Sequence, residues 1–125
     1  MLSYLRNSIL PVSEINQSLP VSGLIYEIGC GIGALAGALA QFKTTRQIVG
    51  IDTDYQKIEY AKKSCSQKNV TYIHVDALRF PYQRCQGVVM SDFLHHISYP
   101  HQEKILEIIT KKVKKQGVMV IKEIV

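Results

Sequence analysis

The sequence predicts a doubly wound, mostly parallel α/β sheet. Short apolar runs alternate with amphipathic stretches along most of the chain. The runs are nearly continuous rather than strictly alternating, as in strands covered on both faces. Their order, strand, helix, strand, helix, strand, strand, helix, strand, is that of right-handed crossover units. At 125 residues there is room for one ordinary core without disulfide support.

The elements follow from residue spacing. LIYEI at 24–28 reads as a buried strand, and GALAGALAQF at 33–42 as a thin helix of small residues. QIVGI at 47–51 is a second strand. In the helix DYQKIEYAKKSC, 54–65, Ile58 and Ala61 share one face. Thr53 and Gln56 stand at the spacing of a capping box, which satisfies free N–H groups of the first turn. VTYIHV at 70–75 is a third strand, alternating enough to suit a sheet edge, and GVVM at 87–90 is a fourth. SYPHQEKILEIITKKV, 98–113, carries Ile105, Ile108, Ile109 and Val113 at helical spacing, and GVMVIKEIV, 117–125, closes as a fifth strand. A short helix at about 14–19 belongs to an amino-terminal segment, 1–20, that caps a core of 21–125.

Composition narrows the function. With 46% hydrophobic and 20% charged residues the chain is an ordinary globular one. The net charge of +5 could invite nucleic acid, but four cations sit in KKVKK, 111–115. A helix ending before Gly117 would use them against the negative end of its dipole, and no aromatic side chains interleave with them. Nucleic acid is therefore disfavoured. Cys30, Cys65 and Cys85 are odd in number and lack zinc or redox spacing, so they read as reduced thiols of a cytoplasmic protein. No stretch has the length and apolarity of a membrane span.

In such a sheet, ligands bind at the carboxyl ends of the strands. The first strand runs into Glu27 and the glycines Gly29, Gly31 and Gly33, the second ends at Asp52, the third at Asp76 and Ala77. The fourth ends at Ser91, with His95 and His96 beyond. The glycines suit either a packed turn or a backbone kept bare for a ligand. Asp52 could accept from both ribose hydroxyls or could cap the next helix. Asp76 could accept from a purine amine or could form an Asx turn. A nicotinamide dinucleotide site spaces its glycines as GxGxxG, whereas position 34 here is Ala34. Glu27, two residues before Gly29, suits a ligand with positive charge and would repel a diphosphate.

EIGCGIG, VGIDTD, VDALRFPY, GVVMSDFLHHIS and KKQGVMVIKEIV, in this order, make residues 21–125 resemble the class I S-adenosylmethionine-dependent methyltransferases. The loop LHHIS and the FP pair look most like the small-molecule enzymes near the ubiquinone-biosynthesis type. The resemblance implies a Rossmann-like sheet of strand order 3-2-1-4-5. It implies S-adenosyl-L-methionine as cofactor, with S-adenosyl-L-homocysteine as product. Gly29, Gly31 and Gly33, with Cys30 between them, would lie under the methionine part and the ribose. Glu27 would reach the amino group, often through water. Asp52 would hold the ribose hydroxyls with Thr53 beside it, and Asp76 and Ala77 the adenine. Ser91 would face the sulfonium.

His95 is the catalytic candidate, because the first histidine of a similar string removes a phenolic proton in plant-type O-methyltransferases. A loop-packing role is its alternative. No metal is expected, since no carboxylate or cysteine stands at ligand spacing beside the histidines. SDFL in place of an Asn/Asp-Pro-Pro-aromatic string disfavours a nucleobase or protein glutamine acceptor.

The chain departs from the family by lacking its usual carboxyl-terminal strands 6 and 7. It is expected to be truncated at strand 5, whose apolar edge would need cover from a partner chain, a second copy or the amino-terminal helix. A non-catalytic cofactor-binding module is the alternative function, and a nicotinamide-dependent oxidoreductase a more distant one.

Overall fold

A computed structural model describes residues 12–123 and the backbone of residues 2–6. Position 1, positions 7–11 within the expected 1–20 segment and the last two residues of the expected fifth strand lie outside the described residues.

The elements, in chain order, are β1 (Leu2–Arg6), α1 (Val12–Ser18), β2 (Gly23–Ile28), α2 (Ala34–Phe42), β3 (Arg46–Asp52) and α3 (Tyr55–Ser64). There follow β4 (Val70–His74), β5 (Cys85–Ser91), a 3₁₀ turn (Leu94–His96), α4 (Tyr99–Lys112) and β6 (Val113–Glu123). All strand pairs are parallel, in the order β1-β6-β5-β2-β3-β4. The five expected strands, β2 to β6 here, thus lie in the order 3-2-1-4-5.

The strand β1 has no counterpart in the sequence reading. It runs beside β6 in the register Leu2↔Met119 to Arg6↔Glu123, so backbone of the same chain, rather than a helix, takes the edge that VMVIK would otherwise leave open.

Each face of the sheet has its own core. On one side Ile25, Ile48, Val89 and Val120 pack under Ile15 of α1, Leu35 and Leu39 of α2, and Ile58 and Ala61 of α3. On the other, Tyr26, Ile28, Val88, Met90 and Ile121 meet Ile105 and Ile109 of α4 and the segment around Ala77 and Tyr82. Successive residues of β2 therefore serve opposite cores, which is why its apolar run is continuous. Arg46 ties α1 down although it is only 2% exposed: its guanidinium donates to Pro20 O, Asn16 Oδ1, Asn16 O and Leu39 O at 2.6–3.0 Å. A buried guanidinium is tolerable where its donors are engaged in this way.

Two local expectations need correction. Asp54, not Thr53, caps α3, its Oδ1 accepting from Lys57 N at 3.1 Å. The helix α4 ends at Lys112, and Lys114 and Lys115 lie at the irregular start of β6. Only Lys111 and Lys112 face the helix dipole.

Candidate functional site

At the carboxyl edge, the loop after β2 folds over the end of β3. The backbone N–H groups of Gly29 and Cys30 both donate to Ile51 O, at 2.8 and 3.0 Å. Gly31 N–H donates to Asp52 Oδ2 at 2.8 Å, and Asp54 N–H to Asp52 Oδ1 at 2.8 Å. Asp52 thus holds the glycine loop and the start of α3 in one geometry. Each of its oxygens receives one donor and keeps a further lone pair.

Gly29 and Gly33 have positive φ, 79° and 84°, and side chains press where a Cβ would stand. A Cβ on Gly29 would meet Phe93 Cδ1 at 2.6 Å, and one on Gly33 the Tyr72 ring at 2.6 Å. At Gly31 a Cβ would meet nothing within 4 Å. The two readings left open for the glycines therefore divide among them: the outer two are packed, and the middle one faces open space.

That space is a cavity of about 420 Å³, within the usual size of a small-ligand site. Of the residues expected there, Gly29, Gly31, Asp52, Thr53, Asp76 and Ala77 line it. Asp76 forms the Asx turn through Leu78 N–H, 2.9 Å from Oδ1, while Oδ2 stands 3.9 Å from the exposed Arg79 Nε. Ala77 is buried and its carbonyl accepts from Tyr82 Oη at 2.8 Å, so the FPY segment packs behind this end without lining it.

Glu27, Cys30, Gly33, Ser91 and His95 do not line the cavity. Cys30 packs into the core under α2, where burial pushes its thiol well above the ordinary range. Glu27 is 3% exposed, and its Oε1 has no hydrogen-bond partner among the described residues. Burial pushes the Glu27 carboxyl up to about 8, the Ala36 backbone hydrogen bond opposes this, and Asp52 adds to it. A buried carboxyl with an orphan oxygen is costly unless something else uses it.

Ser91 stops short of the cavity because the chain turns at Asp92, the one non-glycine residue of positive φ (56°) among those described. The cavity is instead lined here by Asp92, Phe93 and His96, and on the α3 side by Asp54 and Lys57. The sequence reading placed Asp92 and His96 at this strand end without giving either a ligand contact, and did not select Phe93, Asp54 or Lys57 for the site. An acid directly after Ser91 was the available signal for Asp92, whereas the spacing of HH could not say which ring turns inward.

Beside them lies a charged cluster that joins distant parts of the chain. Lys122, 4% exposed, places Nζ 2.7 Å from Asp92 Oδ2. The next residue of β6, Glu123, accepts from Leu94 N–H at 2.8 Å through Oε1 and lies 2.7 Å from His95 Nδ1 through Oε2. Asp92, His95 and Glu123 bring ligand-type atoms within 4.8 Å of one another, a proximity that sequence spacing did not reveal. Lys122 and the His95–Glu123 bond already engage those groups, apart from Asp92 Oδ1, which is buried without a partner among the described residues. Charged residues within the apolar run of β6 were the signal.

Residues 25–117 match the family profile described as "Methyltransferase domain". An uncharacterized protein of Rickettsia prowazekii, RP028, is 29% identical over 104 residues, covering 75% of this chain and 40% of that protein. PKMT2 from Rickettsia typhi, solved in complex with AdoHcy, superposes with a TM-score of 0.74 at 24% identity, over 94% of this chain and 26% of that one. Coclaurine N-methyltransferase, bound to N-methylheliamine and SAH, gives a TM-score of 0.74 at 19% identity, over 85% and 32%. The chain spans about half or less of the length of the curated relatives it matches. Among the described residues no helix is long and apolar enough to cross a membrane.

Proposed function

The chain belongs to the methyltransferase-domain family, and from that premise we propose that it binds S-adenosyl-L-methionine and transfers the methyl group to a small-molecule acceptor in the cytoplasm. The observation that carries this reading is the convergence of three strand ends on one cavity. Gly31 leaves its floor bare, Asp52 fixes the floor to β3, and Asp76 and Ala77 close the far end.

The residues fit the cofactor. Asp52 retains lone pairs for the ribose hydroxyls, and Asp76 together with the backbone of Ala77 suits an adenine edge. Glu27 offers an unpartnered buried oxygen for the amino group, reached through water. Cys30, Gly33, Thr53 and Ser91 belong to the same proposal as support around those contacts. When bound, the cofactor supplies a methyl group already activated on a sulfonium. The chain's part is then chiefly alignment of the acceptor against that methyl, and, for an acceptor that must lose a proton, a base. His95 takes that role here.

Thermal denaturation with and without ligand tests the reading. S-adenosyl-L-homocysteine at 100 times its Kd should add about 2.7 kcal/mol of stability, and NAD none. Stabilisation by NAD with no response to the adenosyl compound would overturn it.

A further inference from the structure

We propose that a lysine-rich patch at the amino ends of β5 and β6 docks the protein on an anionic lipid surface, at the headgroups and without insertion. The proposal goes beyond the cofactor reading and does not depend on it.

The patch begins in the sequence. Of the 15 cations, Arg84, Lys111, Lys112, Lys114 and Lys115 lie here, and the ten that remain equal the 10 acidic residues in number, so this group accounts for the whole net charge of +5. Cys85 stands opposite Val113 in the parallel register, which brings Arg84 and Lys112 to the same edge of the sheet. From there two steps along β5, to Gly87, are matched by five along β6, to Val118. The surplus residues form a bulge, on which Lys114 and Lys115 are exposed. Gly117 lets the bulge close, for a Cβ there would meet Val113 Cγ1 at 2.6 Å and Gln86 O at 2.8 Å. Burial pushes the Cys85 thiol up to about 11, while Lys114 and Arg84 both oppose this, as cations close to the start of β5 would.

The rest of the described structure gives these charges little to do. Lys111 Nζ lies 3.3 Å from Glu107, but the two side chains are 72% and 69% exposed, and such a surface pair contributes little. The other four form no ion pair among the described residues. The dipole of α4 accounts for Lys111 and Lys112 and leaves Lys114 and Lys115 without that role. Nor do the charges serve the cavity. The strand β5 is 7 residues long, so the patch stands roughly 20 Å from its carboxyl end, well beyond the screening length of about 8 Å at physiological salt.

Composition selects the partner. No exposed large apolar side chain belongs to the patch, so it has neither the aromatic anchors of a protein interface nor the rings that stack on single-stranded nucleic acid. The helix that reaches it arrives by its carboxyl end, whose dipole is negative, a poor tip to insert into a duplex groove. Four of the five cations are lysines, compact charges on flexible stems. A charged bilayer surface asks for no more than this, each cation within reach tightening the contact about fivefold. A bilayer at the amino ends of the strands leaves the cavity at their carboxyl ends open to water.

Vesicle sedimentation tests the proposal. The protein should pellet with phosphatidylglycerol vesicles and stay in solution with phosphatidylcholine vesicles, and added salt should release it. Lys114→Gln with Lys115→Gln should weaken binding to phosphatidylglycerol roughly 30-fold, about fivefold for each cation, and leave Tm unchanged because both side chains are exposed. Lys62→Gln with Lys63→Gln, the same loss of charge on α3, should keep binding near the wild-type level. The proposal is overturned if phosphatidylglycerol vesicles leave the protein in solution, if both kinds of vesicle bind it alike, or if the α3 variant loses as much as the bulge variant. Retention on a duplex oligonucleotide at a salt concentration that strips the protein from phosphatidylglycerol would also overturn it, giving the patch to nucleic-acid phosphates.

Discussion

At the ends of β2 and β3, side chains hold backbone: Asp52 takes the N–H groups of Gly31 and Asp54, and Tyr72 Oη donates to Gly33 O. At the ends of β5 and β6, side chains hold side chains, Lys122 to Asp92 and Glu123 to His95. The first arrangement fixes a surface on which a ligand can lie, since the backbone is held from Asp52 and Tyr72 while Gly31 itself is bare. The second fixes charges and a ring, groups of the kind that can move a proton. One edge of the sheet thus carries a proposed binding half and a proposed reacting half, and different substitutions should separate them.

The sharpest break should come from Lys122→Met. It leaves Asp92 half-buried without its cation, and loss of one partner of a buried pair costs about 3–5 kcal/mol, the lower end applying because Asp92 is 26% exposed. Urea denaturation should show this loss, and Lys122→Met with Asp92→Asn together should recover much of it. Next is Asp52→Ala, which should abolish the roughly 2.7 kcal/mol that S-adenosyl-L-homocysteine at 100 times its Kd confers on the wild type, read as a lost shift in Tm.

The two glycines divide the binding half more finely. Gly31→Ala pays the left-handed backbone strain of about 1–2 kcal/mol and puts a methyl into the open floor, so ligand affinity should fall with it. Gly29→Ala adds displacement of Phe93 to similar strain, so chemical denaturation should find it the less stable of the two. Equal stability would mean that the Phe93 contact carries no weight.

The smallest effect per unit change is that of pH on Glu27. Its carboxyl is raised from an ordinary 4.5 to about 8 in the folded protein, so between those values the folded state holds a proton that the unfolded state has lost. Stability of the ligand-free protein should therefore fall as pH rises through that window, by at most about 1.4 kcal/mol per pH unit, and level off above about 8. Glu27→Gln should flatten this dependence in Tm measured against pH. Near neutral pH, binding of an ammonium-bearing ligand at Glu27 should release a proton, visible as a buffer-dependent heat of binding.

The cavity of the proposed binding half was legible in the sequence because its parts follow strand ends directly: Gly29 and Gly31 after β2, Asp52 at the end of β3, Asp76 just past β4. Each needed only the strand's limit and the rule that ligands meet carboxyl ends. The reacting half was not, because its contacts join residues 28 and 30 positions apart. Nothing in LHHIS says which acid will meet His95. Ser91 was expected where Asp92 stands because the positive φ at Asp92 re-aims the chain by one residue. The strand β1 was missed for another reason: LSYLR is only five residues long, and the next described helix, α1, is only seven, so the pattern that identifies the other strands does not single it out.

The central claim, that the carboxyl edge at β2, β3 and β4 is the S-adenosyl-L-methionine site, is tested most directly by titrating S-adenosyl-L-homocysteine into the ¹⁵N-labelled protein and following backbone amides. The account predicts that Gly29, Gly31, Asp52, Thr53 and Ala77 move together and saturate with one Kd. It is contradicted if those amides stay still while others, such as Gly37, Ala38 and Tyr60 in the groove between α2 and α3, respond.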